Sequence, residues 1–184
     1  MRTLITSTLL LNLAILAGCD QSAQSPPPAK PAASAASTPA APDSALPPGL
    51  WLSAAPAGAK PVGEIKKNAA AGQDVVLFGR IGGSRDPFVS GRAMFTLVDR
   101  SVPSCTDRHG DGCPTPWDYC CEPRENLLAN TVTIQVLGAD GKPARVALAD
   151  SYNLKPLAEV TVTGKVSSAG ANVVIDAHGI FVKK

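Results

Sequence analysis

The feature that most constrains this chain is a series of short β-branched runs between residue 74 and the C-terminus. They are punctuated by Gly, Asp-Gly and Ser clusters, and no stretch is long and periodic enough for a core helix. Residues 74–81 (DVVLFGRI) read as a strand running into the Gly82-Gly83 turn. Residues 93–99 (AMFTLVD) place Met94, Thr96 and Val98 on one face and Phe95 and Leu97 on the other. In residues 131–136 the alternation is strict, with Val132, Ile134 and Val136 pointing inward. Ala139-Asp140-Gly141-Lys142 carries a hairpin signal and leads into a predicted strand over 144–148. Residues 160–166 and 173–182 complete the set, while only residues 62–71 look helical, as a short lead-in.

Five or six strands without a long central helix predict an all-β fold, a small closed barrel whose closure removes exposed strand edges. The run VTVTGKV followed by NVVIDAHGIFV resembles the last two strands of an OB-fold, and the resemblance extends over roughly residues 72–184 apart from one insertion. Residues 150–156 (DSYNLKP) stand where that fold has a helix between its third and fourth strands, which leaves a small β-sandwich as the alternative. The resemblance implies ligand binding on the second and third strands and the loops beside them. Here the loop after the first strand offers Arg85, Phe88 and Arg92 for an anionic or planar partner. The plainer reading is two solvated arginines and a loop-anchoring Phe.

Between the second and third predicted strands lies a Cys-rich insertion over residues 100–130, too long for a hairpin. It holds Cys105, Cys113, Cys120 and Cys121, with Asp107, His109, Asp111 and Asp118 among them. An even count of cysteines in an exported protein is first a disulfide count. Four allow three pairings. One of them joins adjacent Cys120 and Cys121 in a strained ring, so the expected solution bonds Cys105 and Cys113 each to one of the neighbours. Each bridge would contribute on the order of 2 to 4 kcal/mol. The competing reading is a zinc or copper site with Cys105, His109, Cys113 and Cys120 or Cys121 as ligands. A thiol-exchange role is a third, although no CxxC at a helix start is present to activate a thiol. Trp117 and Tyr119 are expected to pack the loop against the barrel. The segment DPFVSGRAMFTLVD followed by CPTPWDYCCE is similar to one in uncharacterised exported bacterial proteins, which implies export and no particular activity.

The N-terminus agrees with export. Arg2 precedes an apolar run from Leu4 to Ile15, shorter than the roughly 20 residues that span a bilayer. The run closes on Leu16-Ala17-Gly18-Cys19, and LAGC resembles the lipobox of bacterial lipoproteins. The resemblance implies cleavage after residue 18 and acylation of Cys19, with two or more chains giving stable attachment to a lipid bilayer. Asp20 resembles the inner-membrane retention signal of enteric-type bacteria. The domain plan is therefore a signal peptide at 1–18, a lipidated Pro/Ala-rich tether at 19–59, and the barrel at 60–184.

Of 17 Lys and Arg, Arg2 leaves with the signal peptide, so 16 basic residues face 15 acidic ones. A mature charge near +1 offers no field for a polyanion, which argues against nucleic acid as a partner. Only His109 and His178 exist, and neither sits in a hydrolase or phosphate-binding motif, so catalysis is not expected. The first functional expectation is a periplasm-facing, lipid-anchored binding or scaffold module without a cofactor, with a disulfide-pinned loop that recognises an envelope protein. A zinc- or copper-handling protein and a thiol-disulfide protein are the alternatives.

Overall fold

The computed structural model describes residues 46–110 and 112–184. The expected signal peptide at 1–18, Cys19, Asp20, the first part of the expected tether and Asp111 lie outside the described residues.

Five strands form a closed OB-like barrel: β1 (Asp74–Ile81), β2 (Met94–Val98), β3 (Thr131–Gln135), β4 (Glu159–Ser168) and β5 (Val174–Val182). β1 pairs antiparallel with β2 and β2 with β3; β3 runs parallel to β5, β5 antiparallel to β4, and β4 returns antiparallel to β1. The period-2 pattern decides which face is inside. Phe95 and Leu97 of β2, Val132 and Ile134 of β3, and Val160, Val162 and Val166 of β4 all enter one core. Gly164 marks a bend in β4, where a Cβ would lie 2.6 Å from the Asp176 carbonyl oxygen and the register with β5 shifts.

The predicted strand over 144–148 does not form. Leu137 and Pro143 make one bridge, and Ala144 exchanges bonds with Ala93 and Val136 before the ladder stops. Pro143 brings no N–H to that ladder. Leu148 and Leu154 instead turn into the core on either side of a 3₁₀ turn, Ser151–Asn153, which takes the place of the usual helix. The packed chain also begins ahead of residue 60. Leu50 is 1 % exposed in the core, and its carbonyl and the Leu52 amide bond Ile180 at 2.6 and 2.9 Å. The apolar triplet Leu50-Trp51-Leu52 explains this docking inside a stretch otherwise read as tether.

Helix α1 (Val62–Asn68) sends Val62 and Ile65 into the same core. Its first turn is held by Asp99, a buried residue just after β2. The Asp99 carboxylate accepts the Gly63 amide at 2.7 Å and the Ser101 amide at 2.8 Å. Asp99 thus fixes the point at which the chain leaves the barrel for the insertion.

The insertion runs from β2 to β3 and ends in a six-residue helix, α2 (Arg124–Ala129), that sequence reasoning did not anticipate. It covers the outer face of the barrel. Val98 therefore packs not on the main core but on Val102 and Tyr119, with Leu127 and Leu157 around them, as a second small core.

Candidate metal centre

Gly82, at the end of β1, is the contact point between barrel and insertion. A Cβ there would fall 2.6 Å from the Trp117 carbonyl oxygen and 2.8 Å from the Tyr119 ring, so only a glycine admits the loop at this distance. The neighbouring Gly83 amide donates to the Trp117 carbonyl at 2.8 Å, and the Trp117 indole N–H donates to the Arg85 carbonyl at 2.9 Å.

On the other side the loop is held by Arg80, which points outward from β1. Its guanidinium meets Asp107 at 2.6 Å and the Ser104 hydroxyl at 3.1 Å. The Asp107 carboxylate in turn accepts the Ser104 amide at 2.8 Å and the Ser104 hydroxyl at 2.7 Å. Partial burial pushes the Asp107 carboxyl up, but the Ser104 bonds and the Arg80 charge outweigh it and hold the group below the ordinary carboxylate range. This network shapes the 3₁₀ turn Cys105–Asp107 and leaves Cys105 2 % exposed.

A second 3₁₀ turn, Pro116–Asp118, carries the other half of the centre. Asp118 accepts the Thr115 hydroxyl at 2.7 Å and the Cys120 amide at 2.9 Å. Slight burial pushes its carboxyl up, whereas these two bonds and the Arg85 charge bring it below the usual range. Tyr119 then adopts the left-handed conformation (φ 59°, ψ 35°), at a cost of about 1–2 kcal/mol for a non-glycine residue. Burial of its ring in the second core offsets that cost and reverses the chain, so that Cys120 faces back toward Cys105 and Cys113. Burial also pushes the Tyr119 phenol up to about 12 against the pull of the nearby Arg80, and its buried hydroxyl has no hydrogen-bond partner of good geometry among the described residues. Arg108 pairs with Glu122 and ties the segment after Cys105 to the segment after Cys121.

The sulfurs meet at Cys120. Its Sγ lies 3.5 Å from Cys113, 3.6 Å from Cys105 and 3.8 Å from Cys121, and Cys105 lies 4.0 Å from Cys121. None of these is a bonded pair, for which about 2.05 Å is required. Contacts with the Cys113, Cys105 and Cys121 thiols, in that order, push the Cys120 thiol upward. One ligand atom from each of Cys105, Cys113, Asp118 and Cys120 falls within 4.8 Å of the other three, so this group could hold a metal ion. A tetrahedral ion with sulfur at about 2.3 Å has a sulfur-to-sulfur edge of about 3.8 Å, close to the spacing found here.

Scans against protein-family models and against curated proteins each return no match for this chain.

The four cysteines expected to act together do converge. His109, the proposed nitrogen ligand, does not join them. It is exposed, next to Gly110, whose positive φ of 78° turns the chain, and Asp118 stands in the group instead. The signal for Asp118 was the Thr-x-x-Asp spacing of residues 115–118, which sets up the hydroxyl-to-carboxylate bond. Arg85, Phe88 and Arg92 do not form a common grip. Arg85 is exposed beside the Trp117 contact, Phe88 packs on Phe95 with ring centroids 6.0 Å apart, and Arg92 reaches the Pro143 carbonyl at 3.4 Å. His178 is an exposed residue of β5. No helix among the described residues is long and apolar enough to cross a membrane.

Proposed function

We propose that the protein is a lipid-anchored, non-catalytic module of the bacterial envelope whose barrel presents a thiolate-rich metal site to the periplasm. The LAGC sequence supports acylation of Cys19, Asp20 favours the inner membrane, and the Pro/Ala-rich segment supplies reach. The observation that carries the metal reading is the convergence of the Cys105, Cys113 and Cys120 thiols and the Asp118 carboxylate within the space of one ion. Three sulfurs suit zinc or copper alike. The carboxylate oxygen tips the choice to a zinc-class divalent ion, because monovalent copper prefers soft ligands only. With four protein ligands and no open position, the site organises the loop or stores the ion and does not activate water.

The test is the metal content of the full chain, exported from its own signal sequence and purified from membranes with detergent. One zinc per chain is expected, and Cys105→Ser, Cys113→Ser and Cys120→Ser should each lose most of it. Exchange of residues 1–19 for a signal peptide that is cleaved without lipidation should move the protein from the membrane to the soluble fraction with the zinc retained.

A second reading keeps the loop as a disulfide-pinned knob that recognises an envelope protein. Its supporting observation is that two disjoint pairs, Cys113 with Cys120 and Cys105 with Cys121, are already in contact at 3.5 and 4.0 Å. A metal-free protein four hydrogens lighter than its reduced mass would favour that reading and sink the first.

A further inference from the structure

We propose that the metal site is gated by oxidation: Cys121 is the resolving thiol that captures Cys105 as a disulfide and so releases the ion. This rests on the metal reading above and adds a regulatory step to it.

Cys121 stands outside the group of four converging ligands, yet its sulfur touches two of them, Cys120 at 3.8 Å and Cys105 at 4.0 Å. Its reach toward Cys120 has little use, because adjacent cysteines close a strained ring. Cys105 lies 16 residues away along the chain and carries no such restriction. The two partners also differ in access. Cys121 is exposed, whereas Cys105 is 2 % exposed beneath the loop. Cys120 is exposed too, but in the loaded site its sulfur is held by the ion, so an external disulfide meets Cys121 as the exposed thiol outside the ligand group and cannot reach Cys105 directly. The Arg108–Glu122 pair ties the segments that follow the two cysteines together, so the second step has to close the two sulfurs only from 4.0 Å to about 2.05 Å.

The chemistry balances with a disulfide as oxidant, supplied by a small molecule or an oxidised dithiol protein in the periplasm. The Cys121 sulfur attacks the external disulfide, forming a mixed disulfide and expelling one thiol. The Cys105 sulfur then leaves the ion and attacks the Cys121 sulfur, forming the Cys105–Cys121 bond and expelling the second thiol. The Cys121 proton goes to the first departing thiolate and a proton from water to the second, so one protein thiol and one metal-bound thiolate are oxidised, one external disulfide is reduced to two thiols, and the ion keeps only Cys113, Cys120 and Asp118. Loss of the most buried of three sulfur ligands weakens its hold.

The test compares the full chain with its Cys121→Ser variant, each loaded with one zinc and exposed to oxidised glutathione, with zinc release followed by a chromogenic chelator and the linked peptides identified by mass. The expected result is that both bind one zinc, that the unaltered chain releases it at least tenfold faster than the variant, and that Cys105–Cys121 is the first bond found. Equal release rates, or a first bond between Cys113 and Cys120, would overturn the gate while leaving the metal site intact. Loss of zinc binding in Cys121→Ser alone would make Cys121 a ligand and overturn the gate as well. Failure of both proteins to bind zinc would overturn the metal reading and the gate together.

Discussion

Replacing Gly82 by Ala adds one methyl group at the place where the barrel and the Cys-rich loop touch. The added carbon would sit 2.6 Å from the Trp117 carbonyl oxygen and 2.8 Å from a Tyr119 ring carbon, whereas contacts of this kind settle near 3.5 Å. The loop must therefore lift by roughly 0.7–0.9 Å, and neither neighbour is a flexible side-chain end: one is backbone and the other the ring that fills the second core. Over-packing of this size costs about 1–3 kcal/mol. The lifted segment carries Asp118 and Cys120, so zinc affinity should fall about tenfold, equivalent to about 1.4 kcal/mol. The control is Gly112→Ala in the same loop, where, chain neighbours aside, no atom of the described residues lies within 4 Å of the added Cβ. That variant should be neutral or gain a few tenths of a kcal/mol from reduced unfolded-state freedom. Urea unfolding and competitive zinc titration of both variants decide the matter. If Gly82→Ala matches Gly112→Ala in midpoint and affinity, the loop is not seated on the barrel through this contact.

Tyr119→Phe should stabilise the protein by about 1 kcal/mol in urea unfolding, because it removes a buried hydroxyl with no well-formed hydrogen bond among the described residues; destabilisation of that size would mean that the hydroxyl is bonded, with Arg80 the nearest donor. Asp118→Asn should keep the thiolate-to-metal absorption of a cobalt-loaded sample while weakening binding about tenfold or more, and an unchanged affinity would remove Asp118 from the ligand set. The Asp107 carboxyl is held below its ordinary value, so its contribution is complete above about pH 4 and is lost as pH falls through the lower folded value. The metal-free protein should lose stability below about pH 4, and Asp107→Asn should flatten that acid limb. The ionic part of the difference should not exceed about 1 kcal/mol, because the Asp107 side chain is 42 % exposed.

The barrel was legible because alternation is a local property. Phe95 and Leu97, or Val132 and Ile134, declare their inner face whatever their partners are. Elements without that signature were not legible. Helix α2 buries no residue fully, so its sequence has no apolar stripe, and Leu50 enters the core from a stretch whose composition reads as tether. The segment 144–148 carries the apolar content of a strand, but Leu148 is spent on plugging the barrel. At the site, the clustering of cysteines was plain from their spacing, whereas the choice of Asp118 over His109 was not. That choice depends on the left-handed turn at Tyr119, which ring burial in the second core stabilises and which no local preference of tyrosine would suggest.

The most direct test of the central claim is the zinc X-ray absorption spectrum of the full chain purified under reducing conditions. The account predicts a four-coordinate shell of three sulfurs at about 2.3 Å and one oxygen at about 2.0–2.2 Å, with one sulfur lost in Cys105→Ser. A shell of oxygen and nitrogen alone, or a protein that retains no zinc with its thiols reduced, would contradict it.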